Sequence, residues 1–144
     1  MATATTYTSY PECCKPGFRG ERSECDDYGG CKYQGMFEAF PDKKSQEWVR
    51  SNNIVSVFQS PNSQNRKEWD SKWKNKRLRI RNPKTGKVME VTAVDTCDDG
   101  DCGGCCTKNA NKNGGTLIDL EMNTAKRFYG GNVDGLAKIE WQLA

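Results

Sequence analysis

Two aspartates in the carboxyl-terminal half of the chain have the residue type and the setting for carboxylate chemistry. Asp95 follows an apolar strand pattern, and Asp119 lies within a second apolar run, T-L-I-D-L. A loop rich in glycine and cysteine separates them, and strand ends next to loops often carry functional side chains. A local alternative is that Asp95 opens a turn and Asp119 caps the following helix, as aspartate commonly does. The two aspartates are therefore candidate acid–base residues, with a turn and a cap as the competing roles.

The chain contains no histidine, and this restricts the chemistry that it can perform. Ser-His-Asp catalysis, Cys-His catalysis and histidine general-base catalysis are all excluded in their usual form. Carboxylates are then the natural candidates for catalysis near neutral pH. The net charge of +3 is small, and the basic stretch from residue 66 to residue 87 is typical of a solvated strand face and its turns. We therefore expect no nucleic-acid partner, and the lack of a long apolar run predicts no membrane span.

Eight cysteines form two groups of four: Cys13, Cys14, Cys25, Cys31, Cys97, Cys102, Cys105 and Cys106. An even number in a chain of this size indicates disulfides made in an oxidising compartment. The alternative is zinc, because Cys102 and Cys105 have the spacing of a ligand pair. Adjacent cysteines do not form clean zinc knuckles, so we expect disulfides, no metal and no cofactor. The sequence does not determine which cysteines pair.

At 144 residues the chain is long enough for one domain, covering residues 1–144. Alternating or β-branched patterns predict strands that end near Tyr10 and that cover residues 53–59, 78–82, 87–94, 116–120 and 136–143. The turn P-K-T-G joins two of these into a hairpin. Short helices are predicted over residues 45–50 and 121–129. This composition predicts an all-β fold, a small closed barrel with one or two short helices and disulfide-tied loops.

Trp69 and Trp73 lie four residues apart and would share one side of a helical turn. Core packing is the common reason for such a pair. An exposed pair would instead stack on sugar rings. Both interpretations remain open at this point.

The carboxyl-terminal half resembles the double-psi β-barrel of expansins and expansin-like proteins. The similarity covers about residues 54–144 and consists of L-R-I-R-N, the N-P-K-T-G-K turn, V-T-A-V-D-T-C, I-D-L-E and a last strand ending I-E-W. It implies a six-stranded double-psi barrel in which Asp95 and Asp119 lie together in an open groove. The chain departs from the family at Asp98, where proline is common, and at Glu121, where the helix usually begins with serine.

The amino-terminal segment Y-P-E-C-C-K-P is similar to the Y-W-D-C-C-K-P signature of family-45 endoglucanases, which share this barrel. By that resemblance Glu12 would be the general base and Asp119 the general acid of an inverting glycosidase, with a water between base and sugar. Glu12 is one methylene longer than the aspartate of the signature. Leu117 and Ile118 replace the His-Phe that precedes the acid in those enzymes.

The resemblances imply a secreted, monomeric, expansin-like protein that binds cell-wall polysaccharide and loosens contacts between chains. The expected ligands are β-glucan and cellulose, with xylan and chitin as further candidates. The expected binding residues are Tyr10, Trp69 and Trp73, beside Asp95 and Asp119, with residues 1–35 forming a disulfide-tied strand and loop. A first alternative is an inverting endo-β-1,4-glucanase that uses Glu12 and Asp119. A second is a defence or effector protein similar to barwin or kiwellin, which uses the barrel to bind a protein or a chitin-like target.

Overall fold

The computed structural model describes residues 1–10, 34–60, 66–97, 99, 103–131 and 136–144. The strands in this part of the chain are β1 (Ala2–Tyr7), β2 (Ile54–Gln59), β3 (Arg77–Arg81), β4 (Val88–Asp95), β5 (Thr116–Glu121) and β6 (Ala137–Leu143). The helices are α1 (Gln46–Ser51), α2 (Arg66–Lys72), α3 (Cys105–Asn111) and α4 (Met122–Tyr129). None of these helices has both the length and the apolar character that crossing a bilayer requires.

The strands close into a barrel in the order β1-β5-β2-β4-β3-β6. β1 runs parallel to β5 and β2 runs parallel to β4, while the other neighbours are antiparallel. The predicted closed six-stranded, all-β barrel is thus confirmed. If β1, β2 and β3 exchange places with β4, β5 and β6, respectively, every strand keeps the same kind of neighbours around the barrel. The barrel therefore has an approximate two-fold symmetry. The axis of that symmetry passes through the antiparallel pair formed by β2 and β5.

The barrel interior is filled by every second residue of its strands, as the two-residue period of a strand requires. In β1, β2 and β5 these buried core residues are Ala2, Ala4, Val55, Val57, Ile118 and Leu120. The alternate residues point outward. Phe58 and Leu117 pack there with Cys106 and Ala110 of α3 in a separate apolar cluster. The same outward side of β5 carries Asp119, which places this carboxyl outside the core.

The predicted hairpin is present as β3 and β4, with Leu78 opposite Val91 and Ile80 opposite Met89. Its turn is closed by the Gly86 N–H, which donates to the Asn82 carbonyl at 2.8 Å. Gly86 has φ 78°, in the left-handed region that glycine adopts without a steric penalty.

The two predicted helices are also present, and each begins at a side-chain cap. The Ser45 hydroxyl accepts from the Trp48 N–H at 3.0 Å before α1. The Glu121 carboxylate accepts from the Asn123 N–H at 2.9 Å before α4, which ends at Gly130. Glu121 is almost wholly buried. Its carboxylate caps α4 at the position where the resemblance to expansins leads one to expect a serine.

Trp69 and Trp73 belong to the core, so their predicted role as exposed sugar-stacking residues is wrong. Their exposed fractions are 1% and 2%. Trp69 Nε1 donates to the Val57 carbonyl at 3.0 Å, and the ring of Trp73 lies 5.6 Å from that of Trp141. The Trp73 N–H donates to the Trp69 carbonyl, so the helical turn continues past α2 and directs both indoles to its buried side.

A disulfide between Cys97 and Cys106 joins the residues after β4 to α3. Cys105 is also disulfide-bonded. The sulfur atoms of these three cysteines lie within 4.8 Å of one another, but as disulfides they are not thiolate ligands for zinc. The other five cysteines lie outside the described residues.

Candidate functional site

A β-bulge brings Asp95 to the same side of the barrel as Asp119. Val55 pairs with Ala93, but the next residue of β2, Ser56, pairs with Asp95, so that Val94 and Asp95 stand opposite one residue. On the other side of β2, Ser56 pairs with Asp119. The two aspartates therefore flank Ser56, about two strand spacings or roughly 10 Å apart at Cα. Bulges of this kind re-aim side chains next to functional sites.

β1 supplies the remaining polar groups through its parallel pairing with β5. Thr5 pairs with Asp119, and Tyr7 pairs with Glu121. The Thr5 side chain is hydrogen-bonded to the Asp119 carboxyl. We call the group formed by Thr5, Tyr7, Ser56, Asp95 and Asp119 the carboxylate site. It lies at the approximate two-fold axis of the barrel.

Asp119 has the most perturbed carboxyl of the site. Burial raises its pKa from 3.8 to about 7; the Thr5 hydrogen bond acts in the opposite direction, and the negative charge of Asp95 raises the pKa further. The residue as a whole is half-buried, whereas its Oδ1 atom is fully buried. Asp119 is consequently a neutral carboxylic acid over most of the range below pH 7.

Asp95 is held by backbone donors. The Thr96 N–H donates to Asp95 Oδ1 at 2.9 Å, and the Glu38 N–H donates to the same oxygen at 3.3 Å. Burial raises the pKa of Asp95 from 3.8 to about 6; the two N–H donors lower it, and the Glu38 carboxylate raises it. At pH 7 the site therefore holds an ionised Asp95 beside an Asp119 that is about half protonated.

Tyr7 completes the site as a buried phenol. Burial raises its pKa well above 10.0, and the negative charges of Asp95, Asp119 and Glu121 add to that effect. Its side chain is thus a neutral hydroxyl at every pH at which the protein is expected to work. A neutral phenol can donate one hydrogen bond and accept another.

Three buried polar atoms of this region have no hydrogen-bond partner among the described residues: Tyr7 OH, Thr96 Oγ1 and Asp119 Oδ1. An unsatisfied buried polar group costs about 1–3 kcal/mol, so a cluster of them calls for an explanation. A buried water supplies such partners, and so would a hydroxyl-rich ligand that uncovers these atoms on binding. The cluster marks this place on the barrel as a candidate binding site.

Of the residues predicted for the site, the structure brings Asp95 and Asp119 together. Tyr10 is half-buried, its hydroxyl donates to the Lys44 carbonyl, and Lys43 Nζ lies 5.9 Å from its ring centre. Those contacts fix Tyr10 against the segment 43–44. Glu12 lies outside the described residues.

Sequence reasoning missed Thr5, Tyr7 and Ser56. The polar alternation of Thr3, Thr5 and Tyr7 in β1 was the available signal, because it indicates an outward strand face. The pairing of β1 with β5, which are more than 100 residues apart, has no local signature. Without that pairing the sequence does not connect Tyr7 with the aspartates.

Comparison with protein-family models found no match, and a search of curated proteins found none that is significantly similar. The carboxylate site itself is therefore the basis for inferring a function.

Proposed function

We propose that this is a secreted, expansin-like protein that binds β-linked cell-wall polysaccharide at the carboxylate site and loosens contacts between chains. The observation that carries the proposal is the buried Asp119 carboxyl, which has one oxygen without a partner among the described residues and whose pKa of about 7 keeps it mostly neutral at lower pH. A neutral carboxyl donates a hydrogen bond to a hydroxyl or glycosidic oxygen of a sugar. Tyr7 and the ionised Asp95 offer a donor and an acceptor beside it.

Two further observations support the proposal. The disulfide of Cys97 and Cys106, with that of Cys105, suits an oxidising extracellular compartment. The closed barrel with the two aspartates on one side agrees with the resemblance to expansins over residues 54–144. The proposal covers β-glucan and cellulose as ligands, with xylan and chitin as further candidates, and a monomer as the active form.

An inverting endo-β-1,4-glucanase is the second candidate, and one observation favours it. A carboxyl whose pKa is about 7 suits a general acid at neutral pH. Hydrolysis also needs a base, for which the sequence resemblance proposes Glu12. The two candidates share the ligand and differ in whether the glycosidic bond is cleaved.

The first experiment measures binding to mixed-linkage β-glucan and to insoluble cellulose at pH 5.5 and pH 8.5. The wild-type protein should bind more weakly at pH 8.5, because Asp119 loses its proton and can no longer donate. Asp119→Ala should bind about five- to tenfold more weakly at pH 5.5 and lose most of the pH dependence. The control is Asp42→Asn, a change at an exposed aspartate, and this variant should bind as the wild type does at both pH values.

Reducing ends are assayed in the same incubations, with carboxymethyl cellulose added as a soluble substrate. Binding without release supports the expansin-like function. Release that Asp119→Asn abolishes would instead identify a glucanase. Binding to none of the polysaccharides, xylan and chitin included, would overturn both and favour the protein-binding function of barwin- or kiwellin-like proteins.

A further inference from the structure

A concavity lies near the carboxylate site and is lined by residues from the start of β2, from β4 and from α1. Its volume is about 320 Å³, which is enough for a ligand of the size of one or two sugar rings. The residues that matter for its chemistry are Phe40, Trp48, Asn52, Arg77, Glu90 and Val94. We call it the aromatic cavity.

One wall of the aromatic cavity is formed by two aromatic rings held in a fixed arrangement. The rings of Phe40 and Trp48 meet edge to face, 5.4 Å apart and at 84°. Lys44 Nζ lies 4.2 Å from the centre of Phe40 and 5.1 Å from that of Trp48, which holds the pair by cation–π attraction. Both side chains are only partly buried, so part of this apolar wall is accessible beside the Lys44 ammonium. Such a wall suits the C–H face of a pyranose ring.

The lining of the cavity also carries charged groups of both signs. None of the described side chains forms a hydrogen bond or an ion pair with the exposed Arg77 guanidinium, which carries five N–H donors. Arg77 of β3 pairs with Thr92 of β4, and Glu90 lies two residues before Thr92 on the same strand. The Glu90 carboxylate is 3.5 Å from the Arg79 guanidinium. Because a cation and an anion both line the cavity, neither an anionic nor a cationic ligand is favoured. A neutral ligand with many hydroxyl groups can accept from Arg77 and donate to Glu90.

Two stretches of backbone connect the aromatic cavity to the carboxylate site. Val94 lines the cavity and is followed directly by Asp95. On the other side, the Ala39 N–H donates to the Val94 carbonyl at 2.9 Å, and the Glu38 N–H donates to Asp95. Residues 38–40 thus connect Phe40 in the cavity to the Asp95 carboxyl. Three strand residues, or about 10 Å, separate Thr92 in the cavity from Asp95, a distance that a short oligosaccharide spans.

We propose that the aromatic cavity binds a neutral pyranose ring of the same polysaccharide chain whose neighbouring rings contact Asp119. Phe40 and Trp48 pack against the ring, and Arg77 and Glu90 hydrogen-bond its hydroxyl groups. This assignment rests on the proposed function, since it extends the ligand of the carboxylate site. It also places an accessible tryptophan, Trp48, in the role that Trp69 and Trp73 cannot have.

The test measures binding of cellotetraose and cellohexaose by calorimetry to the wild type, Arg77→Ala, Asp119→Ala and Arg81→Ala. Arg81 is the matched control, because it is exposed on the same face of β3, lies outside the cavity and pairs with Glu140 at 2.7 Å. Arg77→Ala should weaken binding of cellohexaose about tenfold and reduce the advantage of cellohexaose over cellotetraose. Arg81→Ala should bind both as the wild type does. Trp48→Leu, checked for a wild-type unfolding transition, should repeat the effect of Arg77→Ala.

The outcomes separate this inference from the proposed function. If Asp119→Ala weakens binding but Arg77→Ala and a folded Trp48→Leu do not, the aromatic cavity is not a sugar subsite and the proposed function stands. If Arg77→Ala weakens binding and Asp119→Ala does not, the cavity binds sugar and the role given to Asp119 is overturned. An oligogalacturonide of equal length that binds more tightly than cellohexaose would overturn the preference for a neutral ring. If the wild type binds neither oligosaccharide, both proposals fail.

Discussion

At the scale of single residues, the carboxylate site keeps Asp119 protonated at pH values at which an aspartate is usually ionised. Asp119 pairs across the sheet with Ser56 and Thr5, and these neutral hydroxyl residues provide no positive charge to stabilise a carboxylate. Burial therefore dominates and raises its pKa to about 7. Asp95, with two backbone N–H donors, is shifted less, to about 6. The two carboxyl groups are chemically identical, but their pKa values differ because Asp95 accepts two backbone N–H hydrogen bonds and Asp119 does not.

This arrangement has a consequence for stability as a function of pH. Between about pH 4 and pH 7 the folded protein keeps a proton on Asp119 that the unfolded chain releases, so the free energy of unfolding falls as the pH rises through this range. Asp119→Asn removes this loss because asparagine does not ionise. At pH 8 the variant should be more stable than the wild type by on the order of 3 kcal/mol, and at pH 4 the two should be alike.

Urea unfolding at pH 4 and pH 8 provides the measurement. Asp42→Asn, a change at an exposed aspartate, serves as the control. A variant at Asp119 that is destabilised at pH 8 would show that the carboxylate is stabilised in the folded protein, contrary to the direction of the shift.

At the scale of elements, α2 and the turn after it act as a cover for the barrel. The Trp69 indole donates to the Val57 carbonyl of β2, and the Trp73 indole packs against Trp141 of β6. α1 is different, because its Trp48 remains partly exposed while Val49 is buried. The same residue type therefore has a core role in one helix and a surface role in the other.

Trp69→Phe separates these two roles. Phenylalanine keeps most of the apolar contact but has no N–H for the Val57 carbonyl, so the free energy of unfolding should fall by about 1–3 kcal/mol. Binding of β-glucan by the folded variant should be unchanged. Chemical unfolding followed by a cellulose pull-down measures both quantities, and weaker binding at unchanged stability would restore the stacking role to Trp69.

The elements also show which parts of the fold can be predicted from local sequence. β3 and β4 were predictable because alternating residues and a P-K-T-G turn specify a hairpin within 20 residues. α3 was not predicted, since C-C-T-K-N-A-N has weak helix formers and its cap, Gly104, provides no side-chain hydrogen bond. It packs through Cys106 and Ala110 onto Phe58 and Leu117, and this tertiary packing determines its conformation.

At the scale of the whole molecule, closure makes each strand depend on distant ones. β1 pairs with β5 on one side and with β6 on the other, so the barrel closes only when this first strand pairs with the last two. The strand patterns predicted a barrel of about the right number of strands. They could not predict the strand order, and hence could not bring Tyr7 to Asp119, because parallel pairing of distant segments leaves no local signal.

Deleting residues 1–7 tests this dependence. The deletion would leave one edge of β5 and one edge of β6 unpaired and would remove Ala2 and Ala4 from the core. We expect the cooperative unfolding transition to be lost and the protein to aggregate. Met1→Ser, a change at an exposed residue, should unfold as the wild type does. A cooperative transition within about 1 kcal/mol of the wild type after the deletion would contradict the closed barrel as the folding unit.

Because of the bulge at Val94, the direction of the Asp95 carboxyl depends on how many residues β4 contains as well as on which residues they are. Side chains alternate along a strand, so a shift of one residue turns every later side chain to the other face. If β4 paired regularly with β2 and Val94 were not bulged, Val94 would stand opposite Ser56 and Asp95 would point into the interior, even though every functional residue type would still be present. The site therefore tolerates changes of identity around it better than changes of length. Variants or natural relatives with a single residue inserted between Ala93 and Asp95 should be the ones that keep the barrel and lose the function.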